Sequence, residues 1–130
     1  MRMILQLVRV LRRSLARQFP TRRAELEEIE GAVAEAVDLD PRLMFALEPQ
    51  SLVEVLELGN FDPQLAAWVV RSLYYESDLL ENDGQLTKAD LRRRQADAIA
   101  TRFDLRITVA EQGGETLAEF LDQQAGEAKD

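Results

Sequence analysis

The chain reads as an all-α protein of six or seven helices, and three observations predict it. Apolar residues recur at three- and four-residue spacing almost throughout. Nothing alternates convincingly with the period of two that a half-buried strand requires. The breaks between periodic stretches carry helix punctuation: Asp40-Pro41, Asp62-Pro63, Asn82-Asp83-Gly84 and Gly113-Gly114.

The first helix is predicted from about Met3 to Gln18. Ile4, Leu7, Val8, Leu11 and Leu15 form one stripe, with Arg2, Arg9, Arg13 and Arg17 opposite. Pro20 ends it, because a proline pushes the preceding residue out of helical geometry. The second helix spans roughly Thr21 to Asp38. Leu26, Ile29, Ala32, Val33, Ala36 and Val37 share a face, while Glu27, Glu28, Glu30 and Glu35 face outward. The short connection makes the pair an antiparallel hairpin.

Asp40-Pro41 is an N-cap followed by proline at the first helical position, opening a short helix to about Leu47. Pro49 starts a fourth, apolar at Leu52, Val53, Val55 and Leu56 and stopped by Gly59-Asn60; Glu48 fills a slot where Ser or Thr caps better. The fifth, about Pro63 to Glu81, carries the broadest stripe, through Leu65, Trp68, Val69, Ser72, Leu73, Leu79 and Leu80. Thr87, with Asp90 three residues on, can cap a sixth helix reaching about Ala110. It has two apolar faces, Ala89-Ala96-Ile99-Ala100-Phe103-Ile107 and Leu91-Ala98-Leu105-Val109, and so belongs between neighbours. After Gly113-Gly114 a short helix holds Leu117, Phe120 and Leu121. Residues 1–125 are expected to form a single domain and 126–130 a flexible tail.

The 130 residues include no Cys and no His. That excludes disulfides, thiolate nucleophiles, common zinc sites and Ser-His triads. No phosphate-cradling Gly loop and no calcium-loop spacing is present. No cofactor is called for and no enzyme is expected, since no set of nucleophile, base and orienting group is visible. No apolar run reaches the length of a membrane span, and the Arg-interrupted N-terminus is not a signal peptide, so a cytoplasmic location is the expectation. It has the Arg-rich, acid-free character of a transit peptide, but Ser14 is its only Ser.

Net charge is −8, unevenly placed. Residues 1–23 hold seven Arg and no acid, and the other 107 residues hold nine basic and 24 acidic side chains. The acid excess argues against a chain-wide nucleic-acid surface, while the N-terminal segment remains able to meet an anion.

Leu15, Thr21, Ala24 and Ala32 in the first hairpin echo Leu80, Gly84, Leu86, Ala89 and Ala96 in helices five and six. Small residues where two antiparallel helices cross are the packing logic of tetratricopeptide (TPR) hairpins. With Met3-Ile4 through Leu15, Val37-Asp38-Leu39-Asp40-Pro41, Leu52-Val53-Glu54-Val55-Leu56, Asp62-Pro63, Glu76 through Gly84 and Arg93-Arg94-Gln95-Ala96, the pattern resembles a family of small bacterial all-helical proteins, a domain of unknown function with degenerate TPR-like hairpins. The resemblance spans about residues 1–105 and implies TPR-like hairpins bridged by short capped helices. It carries over no catalytic residue. Arg93 stands where a TPR helix has an aromatic, which speaks against a TPR peptide groove.

Two candidate sites follow. Arg2, Arg9, Arg12, Arg13 and Arg17 form a candidate surface for an anion or partner; the competing reading pairs them with carboxylates of the second helix. Glu76 lies inside the stripe of the fifth helix and Arg92 inside that of the sixth, so the two are expected to meet as a buried ion pair. Glu25, Glu27, Glu28 and Glu30 diverge around the helix axis and read as a solvated face rather than a metal cluster. Tyr74 and Tyr75 flank the outer edge of the fifth helix, with Trp68 and Tyr75 completing the core. Leu91, Ala98 and Leu105, spaced by seven, either receive the C-terminal helix or form a homodimer seam. The function expected is a non-enzymatic protein-interaction or scaffold module, with an anionic-surface binder acting through the Arg face as the alternative.

Overall fold

The structure, a computed structural model, describes residues 2–59, 61–107 and 117–123. Among the described residues the chain is all-helical: α1 (Arg2–Leu15), α2 (Arg22–Ala36), α3 (Pro41–Met44), α4 (Pro49–Leu58), α5 (Pro63–Asn82), α6 (Leu86–Arg102) and α7 over 117–123. Val109, Gly113, Gly114 and the tail 126–130 lie outside the described residues, as do the side chains of Arg2 and Met3.

Polar side chains open the helices where the sequence offers them. The N–H of Ala24 donates to Thr21 Oγ1 (3.1 Å), that of Arg42 to Asp40 (2.8 Å) and that of Leu65 to Asp62 (2.8 Å). Glu48 makes no such bond at the start of α4. Helix α6 begins before Thr87, at Leu86, so Thr87 is not its cap; Gln85 stands there without a side-chain capping bond, its amide donating instead to Asp83 at 2.6 Å.

Four helices end in one motif. A residue in the left-handed region, Arg17 (φ 56), Asp38 (φ 59), Gly84 (φ 79) or Asp104 (φ 54), turns the chain back. Behind it an N–H reaches the carbonyl five residues earlier: Gln18 to Arg13 (3.0 Å), Leu39 to Ala34 (2.9 Å), Gln85 to Leu80 (2.9 Å) and Leu105 to Ala100 (2.8 Å). Only Gly84 adopts this geometry without a Cβ cost. The last such turn corrects the expected length of the sixth helix, which stops at Arg102 rather than near Ala110.

Helices α1 and α2 form one hairpin and α5 and α6 another, the latter the most extensive pairing. The second runs antiparallel, since Ser77 meets Ala89, Glu76 meets Arg92 and Tyr74 meets Asp97. Buried Ala89 and Ala96 let the backbones approach, and Ser77 Oγ donates to the Ala89 carbonyl at 2.7 Å. Helix α2 packs on α5, joining the hairpins around a core that includes Leu7, Leu11, Ile29, Leu73, Leu80 and Ile99. Helix α3 packs on α2, and α4 lies along α6.

Helix α7 sits on α5 and α1. Phe120 meets Trp68 edge-on (4.6 Å) and lies under the Arg71 guanidinium (4.5 Å), while Asp122 lies 3.7 Å from Arg12. The Leu91-Ala98-Leu105 stripe therefore does not receive the C-terminal helix: α4 covers that side of α6, and Ala98 lines the crevice between them. Nor is it a continuous helical seam, since Leu105 lies beyond Asp104 and off the helix. Among the described residues no helix is long and apolar enough to cross a membrane.

Candidate functional site

The polar side chains that the fold gathers form two buried clusters and one exposed face. The first cluster grows from the charged residues that interrupt the stripes of α5 and α6. Glu76 is completely buried and Arg92 nearly so, and Arg92 Nε donates to Glu76 Oε2 at 3.2 Å. The remaining guanidinium donors fan out to Glu30 on α2 (3.1 Å), the Phe45 carbonyl after α3 (2.9 Å) and Gln95 (3.3 Å), with the Phe45 ring 4.5 Å beneath the charge. One turn on, Gln95 Nε2 donates to the carbonyls of Leu47 (2.9 Å) and Met44 (3.3 Å). Arg92 and Gln95 thus satisfy the loose carbonyls at the end of α3, which no helix continues to bond.

Burial pushes the Glu76 carboxyl well above the ordinary carboxylate range, and its hydrogen bond with Glu30 adds to this against the charge of Arg92. Burial alone would raise Glu30 too, but hydrogen bonds from Glu76 and Arg92, with the charges of Arg92 and Lys88, outweigh it and hold Glu30 low. Two carboxyls can share a hydrogen bond only through a proton. A protonated Glu76 donating to an ionised Glu30 satisfies both directions. Glu76 Oε1 has no hydrogen-bond partner among the described residues, which leaves it as the atom able to carry that proton. Glu30 is half-buried rather than outward-facing, a correction to its place in the solvated face.

The second cluster lies where α1 turns into α2. Ser14 sits three residues after Leu11, on the buried face of α1, and Glu25 four before Ile29, on that of α2. Ser14 Oγ donates to Glu25 Oε2 and lies 2.6 Å from the Tyr75 hydroxyl. Ser14 has one proton, so Tyr75 donates to Ser14 and Ser14 to Glu25. Arg22 approaches the other Glu25 oxygen at 3.2 Å. Burial raises the Tyr75 hydroxyl; Ser14, Arg22 and Arg17 oppose the rise and Glu25 adds to it. These groups line a cleft of about 660 Å³ together with Leu15, Phe19, Leu79 and Asn82. Tyr74, expected at the outer edge of the fifth helix with Tyr75, is buried as its neighbour is, and donates to Asp97 at 2.5 Å.

The exposed face is that of α1. The apolar stripe is committed to the core, with Leu7, Val10 and Leu11 buried. Arg9, Arg12, Arg13 and Arg17 are all exposed. Among the described residues the pairing of this face with α2 is not found: Glu25 is taken by Arg22, Glu27 by Arg23 (3.2 Å) and Glu30 by Arg92. Among the described residues Arg12 has the loose contact to exposed Asp122 alone, and the Arg13 guanidinium lies over the Phe19 ring at 4.3 Å. Leu5, 59% exposed, flanks the row four residues before Arg9. The side chain of Arg2, the fifth candidate, is outside the described residues.

Reading the sequence finds Glu76 and Arg92 but misses Glu30 and Gln95 as further arms of that cluster; it places Tyr75 in the core without its polar partner, puts Glu25 on the solvated face although it is buried, and gives Ser14 no role. The available signal was register: Ser14 follows Leu7 by seven, and Glu25 precedes Ala32 by seven. Among the described residues no group of three or more acidic side chains is placed to hold a metal ion. Comparison of the chain with protein-family models, curated proteins and solved structures found no match.

Proposed function

We propose that the chain is a non-enzymatic protein-interaction module that docks an acidic partner surface on the Arg face of α1. The observation that carries this reading is that Arg9, Arg12, Arg13 and Arg17 are exposed and no α2 carboxylate neutralises them. Such a cationic row, in a chain of net charge −8, orients an approaching acidic partner and sets its register. Arg is suited to this because its planar fork grips carboxylates in pairs. A lipid surface is the weaker fit, because among its described side chains α1 exposes Leu5 alone as a large apolar group, and its sequence holds no aromatic. The two helical hairpins are consistent with the TPR-like family resemblance, and the cytoplasm is the compartment in which we place this activity.

Amide-shift mapping tests the reading, with a polyglutamate peptide and anionic lipid vesicles as separate probes at low and physiological salt. Polyglutamate is expected to shift the α1 amides from Leu5 to Arg17, less so as salt rises. Shifts confined to other helices, or none at low salt, contradict it. Preference for vesicles over the peptide would transfer the face to a membrane role.

A further inference from the structure

We infer that the cleft at the α1–α2 turn binds a small zwitterion of the α-amino-acid class, a ligand carrying an ammonium, a carboxylate and a short apolar side chain. Its volume of about 660 Å³ falls within the range of small-molecule sites. The groups at its floor are Ser14, Glu25 and Tyr75, all buried. Their hydroxyl protons are already directed inward, Tyr75 to Ser14 and Ser14 to Glu25. What the floor still offers is acceptor capacity: the spare lone pairs of Tyr75, and those the Glu25 carboxylate keeps beyond its bonds to Ser14 and Arg22, which suit an ammonium donor. At the rim the character reverses. Arg22 uses one nitrogen on Glu25 and keeps the rest of its fork, and the exposed Arg17, in the left-handed region, has a guanidinium with no hydrogen bond or ion pair among the described residues. Those guanidinium groups call for a carboxylate. Leu15, Phe19 and Leu79 supply apolar wall. An ammonium at the floor and a carboxylate at the rim of the same small molecule satisfy both ends. A simple anion meets the rim but faces Glu25.

This site is distinct from the docking face proposed above and shares only Arg17 with it. The test is a titration of the full chain, followed by amide shifts, with leucine, N-acetyl-leucine and leucine amide as probes and inorganic phosphate as the anion control. Leucine is expected to saturate, moving Ser14, Arg17, Arg22 and Tyr75, and each derivative to bind about tenfold more weakly because one charged contact is lost. Arg17→Ala, at an exposed position, is expected to weaken leucine about tenfold and leave leucine amide unchanged. No saturable shift at these residues, or phosphate and N-acetyl-leucine binding as tightly as leucine, overturns the inference. Either result would leave polyglutamate binding to α1 as a separate question.

Discussion

Replacing Arg92 by methionine is the most severe single change that the fold predicts. The substitution keeps roughly the stem's volume and removes every donor of the guanidinium. Glu76 then loses its 3.2 Å partner at a fully buried site, the Phe45 carbonyl loses its 2.9 Å donor, and Glu30 loses its 3.1 Å contact. Each buried acceptor left without its donor costs about 1–3 kcal/mol, and the ionised Glu30 also loses its cation, so the losses together come to about 3–5 kcal/mol. Against the roughly 5–15 kcal/mol that holds a domain folded, that is a large share. It corresponds to a fall in Tm of roughly 10–20 °C. Arg92→Lys keeps the charge but not the fork, and should recover only part of the loss. Glu76→Gln should be mild, at about 1 kcal/mol or less, because an amide reproduces the donor that a protonated Glu76 presents to Glu30. Urea unfolding followed by circular dichroism measures all three. An Arg92→Met variant within about 1 kcal/mol of the parent, or a Glu76→Gln variant less stable than Arg92→Met, refutes the reasoning.

The same cluster predicts a pH dependence. Glu76 sits well above its ordinary 4.5 in the folded state, so its contribution is fully present below that pH and is lost as pH rises through the raised value. Glu30 sits below 4.5, so its contribution is present above that pH and is lost as pH falls through the lowered value. Glu76→Gln should therefore gain on the parent in urea midpoint as pH is raised from 4.5, and a pH-independent difference counts against it. Burial and the bond to Asp97 raise the Tyr74 hydroxyl, so Tyr74→Phe should cost about 1 kcal/mol and remove a tyrosine that ionises late in an alkaline ultraviolet titration. At the helix starts, Asp62→Ala should cost about 1 kcal/mol, and Glu48→Ser should add about 0.5–1 kcal/mol by supplying the missing cap; thermal melts with both signs reversed would contradict the capping account.

Helix starts and the buried pair were legible because each leaves a local trace. Asp40-Pro41 and Asp62-Pro63 combine a cap with a fixed backbone angle, and a charge inside an apolar stripe, as at Glu76 and Arg92, must find its opposite. Helix ends were not legible in the same way. Three of the four left-handed turns use Arg17, Asp38 and Asp104, where reading for glycine finds nothing, so the sixth helix was extended past its stop. The β-branched Ile107 and the apolar Leu105 continued a plausible stripe that the backbone had already left. Placement between helices was the other gap. Whether α4 or α7 covers α6 depends on tertiary packing, and both carry suitable apolar residues. Ser14 and Glu25 were lost because polar residues at core register look like ordinary surface until a partner is seen; Tyr75, from another hairpin, is that partner.

That the Arg face of α1 is free in the fold, and is the surface that works, is tested most directly by reversing two of its charges. Arg9→Glu with Arg13→Glu changes exposed positions that have no carboxylate partner among the described residues. Calorimetric titration with polyglutamate at low salt should show binding by the parent and none by the double variant, while the variant's Tm stays within about 3 °C of the parent's. A variant that binds polyglutamate as the parent does would contradict the claim that this face is the contact surface. A variant that loses 10 °C or more would contradict the claim that the face is free.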